Sequence, residues 1–187
     1  YSGFNVTSPY KRTVIPFLDE LTPEAEALQA VNTIRRLGNG RLVGHNTDVY
    51  GFEKLAKEKR IRGRKVLVLG TGGASSAICQ ALRNLGAKEI IRVSRNRRPE
   101  PDCCTYDELN RHSDAQVIVN STPIGMYPNN GHSPLDGCSV KWTDFQQLET
   151  ALDAIYNPYR TKFLMDAEEA GAEVESGLAM LVYQGLR

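Results

Sequence analysis

One continuous apolar run, followed directly by a cluster of glycines, dominates the hydrophobic pattern of the chain. Residues 66–69 are all Val or Leu, and Gly70-Thr71-Gly72-Gly73 follows them without a break. An uninterrupted run of this kind predicts a strand that is buried on both faces. Apolar residues at helical spacing then continue to Leu85, and residues 89–93 predict a second strand. A strand, a helix and a strand within about thirty residues are typical of a βαβ unit.

The rest of the chain alternates between short apolar segments and turn-forming residues. A hairpin is expected to join residues 31–37 to residues 41–44 through Gly38-Asn39-Gly40. Near the start of the chain, Pro9 ends a short strand and can open a helix, which would place Lys11 on the first helical turn. Further strands are expected over residues 4–6, 116–120, 148–156 and 173–175, and further helices over residues 24–30, 50–57, 106–111, 161–170 and 177–184.

The glycine cluster is a relative of the dinucleotide fingerprint G-x-G-x-x-G. Gly70 and Gly72 occupy the first two places, and Ser75 is the small residue in the third. In such a motif the first glycine allows the tight turn, the second lets the backbone approach a pyrophosphate, and the helix N-terminus favours the phosphate. The motif therefore predicts a dinucleotide site, with a glycine-rich turn that binds no ligand as the alternative.

The end of the second strand bears on the choice between NAD and NADP. It consists of Ser94-Arg95-Asn96-Arg97-Arg98, and no carboxylate occurs before Glu100. A carboxylate at this place binds the ribose 2′-OH of NAD, whereas an arginine accommodates the 2′-phosphate of NADP. We therefore expect NADP, with Arg95 as the first candidate for the 2′-phosphate. A solvated basic loop is the alternative.

Polar residues at the two ends of the predicted hairpin indicate a second site. Asn32 lies at the start of the first strand of the hairpin and Asp48 follows the second, so both lie at its open end. Together with Lys11 they form a polar set suited to a substrate with several hydroxyl groups. The alternatives are local caps for Asn32 and Asp48 and a solvent-facing position for Lys11.

Composition adds only broad limits. The chain has 187 residues, 41% of them hydrophobic and 24% charged, and a net charge of +1. These values are those of an ordinary globular protein of one large or two small domains, and they give no reason to expect a nucleic-acid or membrane partner. A cytoplasmic location is expected, or an organellar one if an upstream targeting segment is removed. The four cysteines form no C-x-x-C pair, so we expect reduced thiols and no metal site.

Seven short motifs, taken in order, resemble those of the shikimate dehydrogenase family. They are Gly3-x-Asn5-Val6-Thr7-x-Pro9-x-Lys11, Ala30-Val31-Asn32-Thr33, Gly44-x-Asn46-Thr47-Asp48, Gly70-x-Gly72-Gly73-Ala74-Ser75, Asn120-x-Thr122-x-x-Gly125-Met126, Tyr156-Asn157-Pro158 and Gly177-Leu178-x-Met180-Leu181-x-x-Gln184. The resemblance implies an α/β fold with a Rossmann-type NADP-binding domain and a partial, discontinuous α/β substrate domain. We expect the substrate domain over residues 1–48 and 177–187 and the NADP domain over residues 49–176.

The resemblance also implies the reaction and the residues that carry it. The reaction would be the reversible oxidation of shikimate to 3-dehydroshikimate by NADP+, a step of the shikimate pathway toward chorismate and the aromatic amino acids. Lys11 and Asp48 would be the catalytic pair. Residues expected to bind substrate are Thr7, Asn32, Tyr156 and Gln184, and residues expected to bind cofactor are Gly70, Gly72, Gly73, Ala74, Ser75, Ser94, Arg95, Asn96, Thr122, Gly177 and Met180.

Two departures from the family pattern and two alternative functions accompany this interpretation. The chains of the family begin before Tyr1 and continue past Arg187, so the resemblance implies a chain truncated at both ends. The family often has Asn where Ser94 stands, which bears only on cofactor affinity.

A quinate/shikimate dehydrogenase of broader specificity and a non-catalytic NADP-binding paralogue are the alternative functions. The protein is expected to be a monomer or a homodimer.

Overall fold

The fold consists of two β-sheets connected and covered by helices. The computed structural model describes residues 1–7 and 9–187. The strands are β1 Gly3–Asn5, β2 Glu20–Leu21, β3 Thr33–Arg36, β4 Leu42–His45, β5 Lys65–Leu69, β6 Glu89–Ser94, β7 Cys103–Thr105, β8 Val117–Asn120, β9 Thr150–Asp153 and β10 Glu173–Glu175. The α-helices are α1 Pro23–Leu28, α2 Asp48–Ala56, α3 Gly73–Asn84, α4 Lys162–Glu169 and α5 Leu178–Leu186, and short 3-10 helices cover Ile15–Phe17, Tyr106–His112 and Trp142–Asp144.

The larger sheet has six strands in the order β10-β9-β8-β5-β6-β7, and every neighbouring pair is parallel. Numbered from β5, this is the order 3-2-1-4-5-6 of dinucleotide-binding α/β folds. The residues from Val66 to Leu69 are completely buried because helices cover both faces of the sheet. The predicted βαβ unit and the α/β class are thus confirmed.

The smaller sheet has four strands in the order β1-β3-β4-β2. β3 and β4 form the predicted antiparallel hairpin, with Arg36 opposite Leu42, and β1 pairs antiparallel to β3. The Thr22 side chain caps α1 by accepting from the N–H of Ala25, as Ser, Thr, Asp and Asn do at helix starts.

Helix α2 connects the two sheets and packs against α5. Val49, Phe52 and Leu55 of α2 and Met180 of α5 belong to one buried cluster with the strands and helix of the βαβ unit. Gly51 lies where the two helices cross, and a Cβ at this position would lie 2.6 Å from the carbonyl oxygen of Met180. The last helix of the chain is therefore held closely against the helix that follows the small sheet.

Three sequence expectations differ from the structure. Lys11 does not lie on a helix, because turns occupy its neighbourhood and its carbonyl accepts from the N–H of Val31 at 2.8 Å. β7 and β2 were not expected, and each adds a short edge strand. Residues 106–111 were expected to form a short helix, and a 3-10 helix with a Thr105–Glu108 capping box forms there. In the described part of the chain, no helix is long and apolar enough to cross a membrane.

Candidate active site

The centre of the site is an ion pair between Lys11 and Asp48. Lys11 Nζ lies 2.6 Å from Asp48 Oδ2, and the two side chains are 19% and 5% exposed. Lys11 comes from the turn after β1 and Asp48 from the first turn of α2, next to the carboxyl end of β4. A carboxylate on the first helical turn is favoured by the helix dipole. The pair is thus a short, charge-assisted hydrogen bond with only the lysine end open to solvent.

Asn32 and Gln184 complete a polar group around this pair. Asn32 Nδ2 donates to Asp48 Oδ1 at 2.8 Å, and its contact with Gln184 Oε1 is 3.3 Å. Asn32 is buried, whereas Gln184 is half-buried on α5. The structure therefore brings together Lys11, Asp48, Asn32 and Gln184, four of the residues that the sequence assigned to catalysis and substrate binding.

A second layer of hydrogen bonds fixes these side chains. Asn32 Oδ1 accepts from the backbone N–H of Thr47 at 2.9 Å, so the amide cannot rotate freely. The backbone N–H of Asp48 donates to Asn46 Oδ1 at 3.0 Å, and Asn46 in turn donates to the carbonyl of Ala30. Because these contacts join the two ends of the hairpin, they set the separation between Asn32 and Asp48.

Thr7 and Tyr156, the other two residues expected to bind substrate, lie in more open positions. The side chain of Thr7 is exposed, and its carbonyl accepts from the N–H of Tyr10. Tyr156 is 48% exposed on the loop that follows β9. Their roles in substrate binding remain predictions.

The glycine cluster lies at the carboxyl end of β5, where the strand order reverses between β5 and β8. Gly70 has φ +104°, and a Cβ there would approach Ser121 Oγ to 2.8 Å, so only glycine fits without strain. At Gly72 and Gly73 an added Cβ would meet nothing within 4 Å. These two glycines therefore leave open space at the N-terminus of α3, beside backbone N–H groups without helical partners.

Ser75 and Ala74 follow the glycines on the first turn of α3 but are oriented differently. Ser75 is buried, with its Oγ 4.0 Å from the Sγ of Cys79, and Ala74 is half-buried against the core. Ser75 thus takes the packing role of the third glycine of the fingerprint, which allows the helix to lie close to the strand.

The end of β6 carries the expected 2′-phosphate residues. Ser94 is buried, and Arg95 and Asn96 are exposed. Arg98, which belongs to the same basic run but was not among the residues expected to bind the cofactor, donates from Nε to Ser94 Oγ at 3.3 Å. The sequence signal for Arg98 was the run Arg97-Arg98 after the strand. The end of β6 is therefore positively charged, and the guanidinium of Arg98 is held in place by its hydrogen bond to Ser94.

Thr122 lies on the loop after β8. Gly177 and Met180 lie at the start of α5, beside the loop after β9. Asn120 Oδ1 accepts from both the backbone N–H and the Oγ1 of Thr122, at 2.9 and 2.7 Å. Gly177 has no room for a side chain because a Cβ would collide with the carbonyl of Ala154, and Met180 is a buried residue of α5. All three residues therefore lie on segments that border the carboxyl edge of the sheet.

Asp153 is a buried carboxylate of this region that sequence reasoning did not assign. It ends β9 and is completely buried, and burial raises its pKa to about 6 although three groups donate to it. The sequence feature that could have identified this buried carboxylate is the single charged residue within the apolar run Ala151-Leu152-Asp153-Ala154-Ile155.

Comparison with known proteins gives consistent results. The family model for the shikimate dehydrogenase substrate binding domain matches residues 1–34. The chain is 39% identical over 198 residues to the shikimate dehydrogenase (NADP(+)) of Caldanaerobacter subterraneus subsp. tengcongensis, covering 97% of this chain and 69% of that one.

Solved structures extend the match to three dimensions. A chorismate mutase/shikimate 5-dehydrogenase fusion protein from Clostridium acetobutylicum superposes with a TM-score of 0.86 at 39% identity, covering 99% of this chain and 67% of that one. A shikimate 5-dehydrogenase from Thermus thermophilus in complex with NADP(H) and shikimate superposes with a TM-score of 0.82 at 34% identity, covering 99% of this chain and 70% of that one.

Proposed function

Because the chain belongs to the shikimate dehydrogenase family, we propose that it oxidises shikimate reversibly to 3-dehydroshikimate with NADP+. It is accordingly an oxidoreductase of the shikimate pathway, and NADP is its cofactor. The observation that carries the residue assignments is the ion pair between Lys11 and Asp48, held by Asn32 at the mouth of the site.

We propose that Lys11 and Asp48 handle the proton of the reacting hydroxyl. In the oxidation, the carbon–hydrogen bond of the alcohol breaks and its electron pair leaves as hydride, while the O–H proton passes to the Lys11–Asp48 pair and from there to water. Lys11 Nζ is the more exposed end of the pair, so it faces the alcohol oxygen and stabilises the negative charge that develops there. Asp48 holds the lysine in position and shares its proton.

The substrate hydroxyls would be bound by the polar residues around the pair. The amide of Asn32 donates to Asp48, and the amide of Gln184, which is partly open to solvent, contacts Asn32. Thr7 and Tyr156 would contact the substrate from the exposed rim. A ring with several hydroxyl groups suits such a set, since each amide or hydroxyl can both donate and accept.

The residues at the carboxyl edge of the parallel sheet fit a dinucleotide. Gly72 and Gly73 leave free space beside the first turn of α3, which is what a pyrophosphate requires. Arg95, with Ser94 and Asn96, would bind the 2′-phosphate. Gly70, Ala74 and Ser75 shape the turn, and Thr122, Gly177 and Met180 would border the nicotinamide. When bound, NADP+ supplies the acceptor for the hydride.

We also propose the domain division into residues 1–48 with 177–187 for substrate and residues 49–176 for cofactor. It rests on the four-stranded sheet, whose hairpin is flanked by Asn32 and Asp48, and on the six-stranded sheet, whose strand β5 is followed directly by the glycine cluster. A monomer or a homodimer would be compatible with the site, because all the proposed residues come from one chain.

The test is nicotinamide absorbance with shikimate or quinate as substrate and NADP+ or NAD+ as cofactor. Reduction of NADP+ by shikimate, with much slower reduction of NAD+, supports the proposal and the role of Arg95. Equal use of NAD+ or a preference for quinate would replace it with the broader quinate/shikimate activity. Bound NADP+ without reduction would indicate a non-catalytic paralogue.

A further inference from the structure

The carboxylate of Asp153 connects two loops at the carboxyl edge of the large sheet. Its Oδ1 accepts from Asn120 Nδ2 at 3.1 Å and from the backbone N–H of Ile155 at 2.9 Å. Its Oδ2 accepts from Thr161 Oγ1 at 2.7 Å, the hydroxyl that caps α4. One oxygen therefore holds both loops, and the other holds the start of a helix.

Asn120 extends this connection to the loop after β8. Its Nδ2 donates to the carbonyl of Ile124 as well as to Asp153, and its Oδ1 accepts twice from Thr122. Asn120 is completely buried, so water does not substitute for these partners. The position of Thr122 is thus set by Asn120, which is oriented in turn by Asp153.

The loop after β9 extends the connection in the other direction. Ile155, whose N–H is bound by Asp153, precedes the exposed Tyr156. The carbonyl of Ile155 accepts from the N–H of Gly177 at 2.9 Å, and Gly177 also packs against Ala154. The start of α5, the helix that carries Met180 and Gln184, therefore rests on the same short segment.

We propose that Asp153 is a positioning residue for the dehydrogenase reaction, holding the Thr122 loop and the Tyr156 segment at a fixed separation across the ends of β8 and β9. The inference rests on the proposed function, because it assigns these two segments to the cofactor and the substrate. Asp153 itself touches neither, and it acts through Asn120 and Ile155. A shift of about 1 Å in such a support can lower the rate by up to about 100-fold.

The positioning does not depend on the charge of Asp153. Both loop contacts use Oδ1, so a proton on Oδ2 would leave them in place and would donate to Thr161 Oγ1, which can accept. The same reasoning applies to D153N, in which the amide oxygen would replace Oδ1 and the amide nitrogen would donate to Thr161. The asparagine variant therefore keeps all three contacts, whereas D153A removes them.

The first experiment compares the wild type, D153A and D153N in steady-state kinetics with shikimate and NADP+. D153A is expected to raise the KM for both substrates about 10-fold and to lower kcat, since both loops are released. D153N is expected to restore most of the loss. A purely structural role would lower the amount of active protein, and thus the apparent kcat, with both KM values unchanged.

The matched control is D114A, which removes a carboxylate paired with Lys65 near the opposite edge of the same sheet. Its KM values should equal those of the wild type. If D153A does not fold, D153S serves in its place, because a serine can still bond the N–H of Ile155 but is too short to reach Asn120. D153S is then expected to raise the KM for NADP+ more than the KM for shikimate.

Amide hydrogen exchange separates this inference from the proposed function. Exchange at Thr122 and Ile155 should be faster in D153A than in the wild type and should return to slow values in D153N, whatever reaction the protein catalyses. Faster exchange without any NADP+ reduction by the wild type would overturn the proposed function alone. Unchanged exchange in D153A, unchanged KM values, or a D153N variant as impaired as D153A would overturn the positioning role.

Discussion

Replacement of Gly51 by alanine tests whether the contact between α2 and α5 sets the geometry of the substrate site. The new Cβ would lie 2.6 Å from the carbonyl oxygen of Met180 and 3.1 Å from Gln184 Cβ. Restoring an ordinary contact of about 3.4 Å requires α5 to move by roughly 0.8 Å, because the obstructing atom is backbone. Such a shift would lengthen the 3.3 Å contact between Gln184 and Asn32 to about 4.1 Å, beyond hydrogen-bonding distance.

The expected energies are modest and measurable. Overpacking at such a contact destabilises the fold by about 1–3 kcal/mol. Alanine within a helix is more stable than glycine by about 1 kcal/mol, which offsets part of this loss. The free energy of unfolding should therefore fall by about 0–2 kcal/mol in G51A. Loss of one neutral hydrogen bond at the site, about 1 kcal/mol, should raise the KM for shikimate about 5-fold.

The assay is urea unfolding together with steady-state kinetics, and G185A is the matched control. Gly185 lies on α5 itself, but a Cβ there would meet nothing within 4 Å. G185A should therefore gain up to about 1 kcal/mol of stability without a change in KM. A G51A variant with the wild-type KM for shikimate would refute the reasoning that this helix crossing positions Gln184.

Three further predictions concern charge. Lys11→Ala should lower kcat about 100- to 10,000-fold while NADP+ still binds with wild-type affinity in a titration, and an unchanged kcat would remove Lys11 from the chemistry. Arg95→Ala should weaken NADP+ binding about 10-fold and leave NAD+ binding unaltered, as measured by calorimetry, because only NADP+ carries the 2′-phosphate. Burial raises the pKa of Asp153 from 3.8 to about 6, so the folded state binds the proton more tightly than the unfolded state does. Asp153 should therefore add stability as pH falls from about 6 toward about 4, on the order of 3 kcal/mol in all, and the pH dependence of urea unfolding in D153N should lack this contribution.

The central βαβ unit could be predicted because local and global signals agree there. Four consecutive buried positions, a glycine turn and an amphipathic helix each favour the same structure, and β5, α3 and β6 form within a residue or so of the expected bounds. The hairpin of β3 and β4 was predicted because two strand-like segments flank the turn residues Gly38-Asn39-Gly40. β7 could not be, since its three residues form a strand only because the edge of β6 is available to pair with them.

The residue types of the site could be predicted from the sequence, whereas the contacts that hold them in place could not. Asn32 and Asp48 flank one hairpin, so their proximity follows from topology. The helix expected at Lys11 does not form, and the carbonyl of Lys11 accepts instead from the N–H of Val31, elsewhere in the chain. The bonds of Asp153 and the close approach at Gly51 depend on tertiary contacts that no local pattern encodes.

The contact between Asn32 and Gln184 joins residues that are 152 positions apart in sequence. Loop closure over such a separation carries an entropic cost that is repaid only after the intervening parallel sheet has formed. During synthesis, the hairpin and the βαβ unit can fold while α5 is still inside the ribosome, but the polar group around Asp48 cannot be completed. The polar group around Asp48 is therefore completed only after the strands of both sheets have been synthesised.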